Sequence, residues 1–229
     1  MNMNYESKVN TNGLKVLAGH HLAPADLEVI DRAWQLVLEV HSGQKHFSGE
    51  PYVMHALEVA STLASMKLDR DTIIAGLLHG VLKEGVTLEE LKGEFGNDVS
   101  AIVDGCTKIT KVRYNNQVAN QAESVRKMLL AMSEDIRVLL VKLIDRLQDI
   151  CTLETTEGEI KKRIARETMD LYAPLASRLG IDWLKRELED SAFRYLHPAE
   201  YNELNTKMES SLDERQKYVD EVITILHEE

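Results

Sequence analysis

The chain has 229 residues, 44% hydrophobic and 28% charged, which suits one large domain, or one domain with a helical extension, able to bury a core without staples. Its formal charge of -11, from 38 acidic against 27 basic residues, argues against a duplex-binding surface, whose phosphate contacts require lysine and arginine. Two distant cysteines, Cys106 and Cys151, stand in no metal-ligand spacing and fit a reducing, cytoplasmic compartment, and no apolar run reaches the roughly 18–20 residues of a membrane span.

Met1 to Thr11 is polar and mixed in charge, unlike a secretory signal or a transit peptide, and residues 1–25 are expected to form an N-terminal tail. From there the apolar spacing is helical almost throughout, with few prolines or glycines to interrupt it. Asp26 is placed to cap a helix whose inner face is Leu27, Ile30, Trp34, Val37 and Leu38. His41 closes that helix, where an imidazole favours the C-terminal dipole, and a polar loop leads to Pro51. A second helix carries His55, Val59 and Leu63. A third, from about Asp71, runs Ile74, Leu77, Leu78 and Val81 with His79 among them. Thr87 and Glu90 form a capping box for a short helix ending near Gly96, and another helix covers Val99 to Ile109.

Thr110 to Asn120 is rich in Asn and Gln, breaks the periodicity and reads as a mobile loop. Glu123 to Met132 and Glu134 to Ile150 read as two helices. The second is apolar enough (Ile136, Leu139, Leu140, Leu143, Leu147) to be central. Glu159 to Leu179 reads as one long helix stopped by Gly180, followed by Asp182 to Leu196. The basic run Lys161-Lys162-Arg163 is read as a solvated helix face. In 198–229, Leu204, Met208, Leu212, Val219, Val222 and Leu226 keep a helical stripe. This segment is either a terminal helix on the core or a linker helix toward a further domain, and the second reading is preferred. The expected fold is all-α, with its main domain over 26–197.

Most of the eight histidines sit near ends or loops, where solvent exposure is the default. His55 and His79 lie instead in apolar helices. A histidine on an apolar face is more often a satisfied core residue than a ligand, but Asp145 alters the balance. It stands inside Val141-Lys142-Leu143-Ile144-Asp145-Arg146-Leu147, where a carboxylate is costly unless paired or coordinated. Lys142, three residues earlier, is placed to pair with it, and Arg146 points elsewhere. Two imidazoles and a buried carboxylate suit a first-row divalent metal that activates water.

The segment Ser48-Gly49-Glu50-Pro51-Tyr52 with His55 resembles the first motif of the RelA/SpoT-homologue family, the stringent-response enzymes that make and destroy guanosine tetraphosphate and pentaphosphate. The resemblance continues through Val103-Asp104-Gly105, Arg126-Lys127-Met128-Leu129, Asp135-Ile136-Arg137-Val138 and Asp145-Arg146-Leu147. It is closest in Tyr172-Ala173-Pro174-Leu175-Ala176, Arg178-Leu179-Gly180-Ile181 and Glu187-Leu188-Glu189-Asp190, in constant order from about Leu27 onward. It implies an all-helical HD hydrolase half that uses manganese to release pyrophosphate from the 3′ position of the nucleotide. It further implies a synthetase domain after this region as the intramolecular partner. The implied metal positions are His55, His79 with Gly80, and Asp145. The doublet's aspartate is replaced by glycine at 80.

Other positions depart as well. The family's Glu-Asp pair, which serves the attacking water, becomes Lys83-Glu84. The residues before the first motif, Lys45 and His46-Phe47, lack the family's Arg-Lys for guanine. Asp149 stands where an asparagine contacts nucleotide, beside Gln148 and before Thr152. The implied nucleotide pocket is thus Lys45, His46, Ser48, Asp149 and Thr152, in degenerate form. Gly80 offers no ligand atom. Lys83, one helical turn after His79, adds a cation: unit charges about 4 Å apart interact by roughly 4 kcal/mol at an effective dielectric near 20, roughly doubled for a dication. Weak or absent metal binding is expected, so no cofactor, with Mn²⁺ only if the site is competent.

Three readings follow. One is a pseudo-hydrolase serving as the structural and regulatory half of a larger synthetase. The second is a divergent manganese phosphohydrolase rescued by Glu84 or Asp149. The third is a metal-free sensor of a guanine nucleotide or anion, with Lys83 standing in for the metal charge. None involves a membrane or direct duplex binding.

Overall fold

In the computed structural model, residues 11–110 and 135–208 are described. Ten α-helices follow one another in these residues: α1 (Asn12–Gly19), α2 (Pro24–Val40), α3 (Tyr52–Ser65), α4 (Arg70–Leu78), α5 (Leu88–Phe95), α6 (Asn97–Thr110), α7 (Ile136–Cys151), α8 (Gly158–Glu167), α9 (Ala173–Arg178) and α10 (Asp182–Leu196). Helical residues also run over 198–208. Among the described residues the sole β pairing is an isolated bridge between Lys45 and Pro51, so the all-α expectation holds. No helix among them is long and apolar enough to cross a membrane.

The middle of the bundle is α4. Every residue from Thr72 to Leu78 is buried, because the helix is apolar or small all round and packs against α2, α3 and α6. Gly76 permits the close approach to α3: a Cβ there would lie 2.4 Å from Leu63 Cδ1. Asp69 starts the helix by accepting from the Thr72 amide at 3.0 Å. The sequence singled out 134–150 as the central helix. Its counterpart α7 is also enclosed, with every residue from Val141 to Asp145 buried among α3, α4, α6 and α10, and α4 is buried over a still larger share of its length.

Several local expectations are corrected. Asp26 does not cap α2: Ala23 holds the cap position, and Asp26 sits inside the first turn, accepting from the Ala23 amide at 3.2 Å. The helix begins one turn earlier than expected because Pro24 fits the first turn. Residues 12–19, placed in a tail by the sequence, form α1. Its Leu14 and Ala18 are buried against α2 and α3, and Lys15 reaches Asp31 at 2.8 Å. The long helix expected over 159–179 is broken into α8, a π turn at Thr168–Tyr172 and α9. Pro174 lacks the amide that would continue the ladder, and the π turn absorbs the register change. The capping box at Thr87 and Glu90 forms as expected. The loop and helix expected within 111–134, and the stripe beyond 208, lie outside the described residues.

Candidate metal centre

The loop before α3 is held as a tight hairpin. His46 donates its amide to the Glu50 carbonyl at 2.8 Å, Gly49 donates to the His46 carbonyl at 2.9 Å, and Tyr52 to Gln44 at 3.0 Å. Gly49 has φ 89°, a left-handed conformation that suits glycine. This hairpin fixes His46 against the first turn of α3, which carries Tyr52 and His55. The end of α4 presents His79, and the middle of α7 presents Asp145 and, one turn on, Asp149.

His79 is not inside a helix, as its apolar neighbours suggested, but is the C-terminal cap of α4. The chain leaves there in a 3₁₀ turn, Val81–Glu84. The Nδ1–H of His79 donates to the Gly76 carbonyl at 2.8 Å, which leaves Nε2 as an acceptor. That nitrogen lies 3.4 Å from Asp145 Oδ1 and accepts from the Tyr52 hydroxyl at 3.2 Å. His55 Nε2 lies 3.0 Å from the same Asp145 oxygen. The other oxygen, Oδ2, accepts from the Lys142 ammonium in a short hydrogen bond, the pairing that their spacing on α7 predicted. His55, His79, Lys142 and Asp145 are all buried, at 4, 4, 7 and 6% exposure.

These contacts set the protonation of the cluster. Burial alone raises the Asp145 carboxyl, but the Lys142 ammonium and the hydrogen bond with His55 outweigh it and hold it well below the ordinary range. Burial depresses the His55 imidazole, and the Asp145 carboxylate more than reverses that. Burial works against the Lys142 charge, and Asp145 again outweighs it, keeping the lysine cationic. Burial, with Asp145, Asp149 and Glu84 nearby, pushes the Tyr52 phenol up, so it remains a hydrogen-bond donor. His41 does not serve the helix dipole as expected. It is buried, stacks on Tyr52 at 4.1 Å and bonds Gln44 at 2.8 Å, and desolvation lowers its pKa toward the neutral form.

Tyr52 also determines what the glycine at 80 means. A Cβ on Gly80 would lie 2.1 Å from the Tyr52 hydroxyl oxygen and 2.8 Å from Cζ. The phenol therefore fills the room through which a side chain at 80 would enter. Lys83 does not lie on a continued helix one turn past His79. Its amide bonds the Gly80 carbonyl at 3.0 Å inside the 3₁₀ turn, and its side chain keeps contact with solvent. Desolvation, then the Lys142 ammonium, lowers its pKa against the pull of Asp145, Asp149 and Glu84. Glu84 is exposed and accepts from Gln44 at 2.8 Å.

The positions matched to nucleotide contacts separate. Lys45 is exposed. Thr152 bonds back to the Gln148 carbonyl of its own helix at 3.0 Å, and Gln148 donates to Thr62 of α3 at 3.1 Å. His46, Ser48 and Asp149 do converge. His46 Nε2 lies 3.2 Å from Asp149 Oδ1, its Nδ1 lies 3.2 Å from Ser48 Oγ, and its ring stacks on His55 at 4.3 Å and 11°. The sequence treated His46 only as a degenerate nucleotide contact, and Asp149 as that or as a rescuing ligand beside Asp145. Their convergence with His55 depends on the hairpin fold and had no spacing signal.

Among the described residues, two groups bring ligand atoms within 4.8 Å of one another: His55, His79 and Asp145, and His46, His55 and Asp149. Each offers two imidazoles and a carboxylate, a donor set suited to a divalent transition metal. The first group fits such an ion only in part. Its fourth position is the filled space beside Gly80, and its carboxylate is engaged by Lys142.

The HD-domain pattern matches residues 33–182. The chain belongs to the HD-domain family. Among curated proteins this HD domain is 46% identical over 205 residues to a GTP pyrophosphokinase of Myxococcus xanthus, covering 88% of this chain and 27% of that protein. It is 45% identical to a guanosine-3′,5′-bis(diphosphate) 3′-pyrophosphohydrolase of Aquifex aeolicus (90% and 29%). It is 36% identical to the bifunctional (p)ppGpp synthase/hydrolase SpoT of Escherichia coli (92% and 30%). The resemblance to the RelA/SpoT homologues thus extends across the chain, which spans less than a third of the length of each relative. A solved structure described as a metazoan ortholog of SpoT that hydrolyzes ppGpp shares the fold, with TM-score 0.51 and 24% identity over 76% of this chain and 96% of that one.

Proposed function

We propose that this HD domain is a degenerate guanosine tetraphosphate 3′-pyrophosphohydrolase, without hydrolytic activity, that serves as the structural and regulatory half of a larger cytoplasmic guanosine tetraphosphate synthetase. The observation that carries the reading is the filled space at Gly80. A hydrolytic centre needs a metal held firmly enough to lower the pKa of its water. Here the ligand atoms have found protein partners instead. The Tyr52 hydroxyl donates to His79 Nε2, and the Lys142 ammonium holds Asp145 Oδ2. A buried cation next to the carboxylate supplies the positive charge that an ion would bring, so Asp145 and His79 are satisfied without one.

The residues expected to handle water and nucleotide support the same reading. Lys83 is a cation where a carboxylate is needed, and Glu84 is tied to Gln44. Asp149 presents negative charge where phosphate would approach. Such a domain still offers a rigid all-helical body to which another part of a longer protein can couple. The test is release of pyrophosphate from guanosine tetraphosphate with Mn²⁺. The expected result is turnover no higher than in an Asp145→Asn variant. Turnover that requires Mn²⁺ and is lost in that variant sinks this reading and favours a divergent hydrolase. Nucleotide binding without turnover favours an anion sensor.

A further inference from the structure

We infer that His46, His55 and Asp149 form a divalent transition-metal site of their own, displaced one turn along α7 from the position that the HD pattern implies. His55 belongs to both groups. The others change places: His46 from the hairpin replaces His79 from α4, and Asp149 replaces Asp145. The two groups share His55 and differ in their other two ligands, so they define neighbouring positions that one His55 nitrogen cannot serve at the same time. Asp145 is engaged by Lys142 and His79 by Tyr52, whereas His46 and Asp149 face one another at 3.2 Å, and His55 exchanges its 3.0 Å contact with Asp145 for the ion. In a tetrahedral centre with bonds of about 2.0–2.1 Å, neighbouring ligand atoms stand about 3.3 Å apart. The His46–Asp149 separation already meets that spacing, and the full set lies within 4.8 Å.

The surroundings match the way metal-binding imidazoles are oriented. His46 Nδ1 lies 3.2 Å from the oxygen of buried Ser48. With Nδ1–H donating to that hydroxyl, Nε2 carries the lone pair toward Asp149. The hairpin bonds from His46 to Glu50 and from Gly49 to His46 fix the backbone at His46, and its ring, stacked on His55, turns to bring both lone pairs onto one ion. His46 and Asp149 both depart from the residues that the RelA/SpoT resemblance expects, and both departures introduce a metal ligand. Three protein ligands leave a coordination position open.

The inference rests on the reading that the first group is closed at Gly80, and the two fail separately: pyrophosphate release overturns that reading, whereas the outcomes below concern the ion alone. Zn²⁺ is titrated calorimetrically into the whole chain without nucleotide, and Co²⁺ binding is followed by visible absorption. One ion is expected to bind, giving the intense bands of tetrahedral Co²⁺. His46→Gln and Asp149→Asn are each expected to weaken Zn²⁺ binding at least 10-fold, while His79→Gln changes it less than 3-fold. Absence of binding by the unaltered chain overturns the inference without recourse to any variant. Loss in His79→Gln, whether alone or together with the other two, also overturns it, because the ion would then sit on or across the first group.

Discussion

Gly80 has protein on the side where any other residue would place its first carbon. The nearest atom is the end of an aromatic side chain, but Tyr52 cannot swing freely: it stacks on His41 and donates to His79. Gly80→Ala therefore forces the phenol aside, and overpacking of this kind costs about 1–3 kcal/mol. Tyr52→Phe removes a hydrogen bond worth about 0.5–1.5 kcal/mol but relaxes the closest approach from 2.1 Å to 2.8 Å. The double variant should then be less destabilised than the sum of the singles, a coupling that urea midpoints can measure. Simple additivity would mean that Tyr52 does not fill this space. That Gly80 lacks a ligand was legible in the sequence through the resemblance. That the gap is filled was not, since Tyr52 and Gly80 are brought together only by the packing of α3 on α4.

At the level of elements, some helix starts were legible and the helix interruptions were not. Thr87 with Glu90, and the carboxylates near the starts of α4 and α7, lie close to the helices that they cap. The break inside 159–179 depended on how Pro174 is accommodated, and the end of α4 at Leu78 followed no stop residue. Arg137 ties two starts together. It pairs with Asp135, the cap of α7, at 2.7 Å and approaches Asp69, the cap of α4, at 3.5 Å. Hydrogen bonds from Arg137 lower the Asp135 pKa. At Asp69 burial acts upward, and the bonds from Thr72 with the charge of Arg137 outweigh it. Both folded values lie below the ordinary aspartate value of about 3.9. Their stabilisation is thus complete above that value and is lost as pH falls through the folded values. Arg137→Gln should lower the urea midpoint at neutral pH and flatten its fall below about pH 4. An unchanged acid limb would show that these caps titrate independently of Arg137.

On the scale of the whole molecule, the pocket draws on the hairpin, α3, α4 and α7, and its altered residues come from the hairpin, the turn after α4 and the end of α7. An all-α body and the triad His55, His79 and Asp145 could be read along the chain, since each residue stands in or at the end of its own apolar helix. The opposition of His46 to Asp149 could not, because they stand 103 positions apart in the chain and meet only through the hairpin and α7. If these positions changed as a set, reversing one will not restore chemistry. Gly80→Asp alone must displace Tyr52 and still leaves Lys83, Glu84 and Asp149 in place, so no pyrophosphate release with Mn²⁺ is expected. The combination Gly80→Asp, Lys83→Glu, Glu84→Asp, Asp149→Asn with His46→Arg and Phe47→Lys supplies the carboxylates near the first group and removes the negative charge facing phosphate. It should release pyrophosphate from guanosine tetraphosphate and at the same time lose the Zn²⁺ site that needs His46 and Asp149. Activity in Gly80→Asp alone would show that one missing carboxylate was the whole defect. A combined variant that folds, binds Mn²⁺ and stays inactive would place the loss outside these six positions.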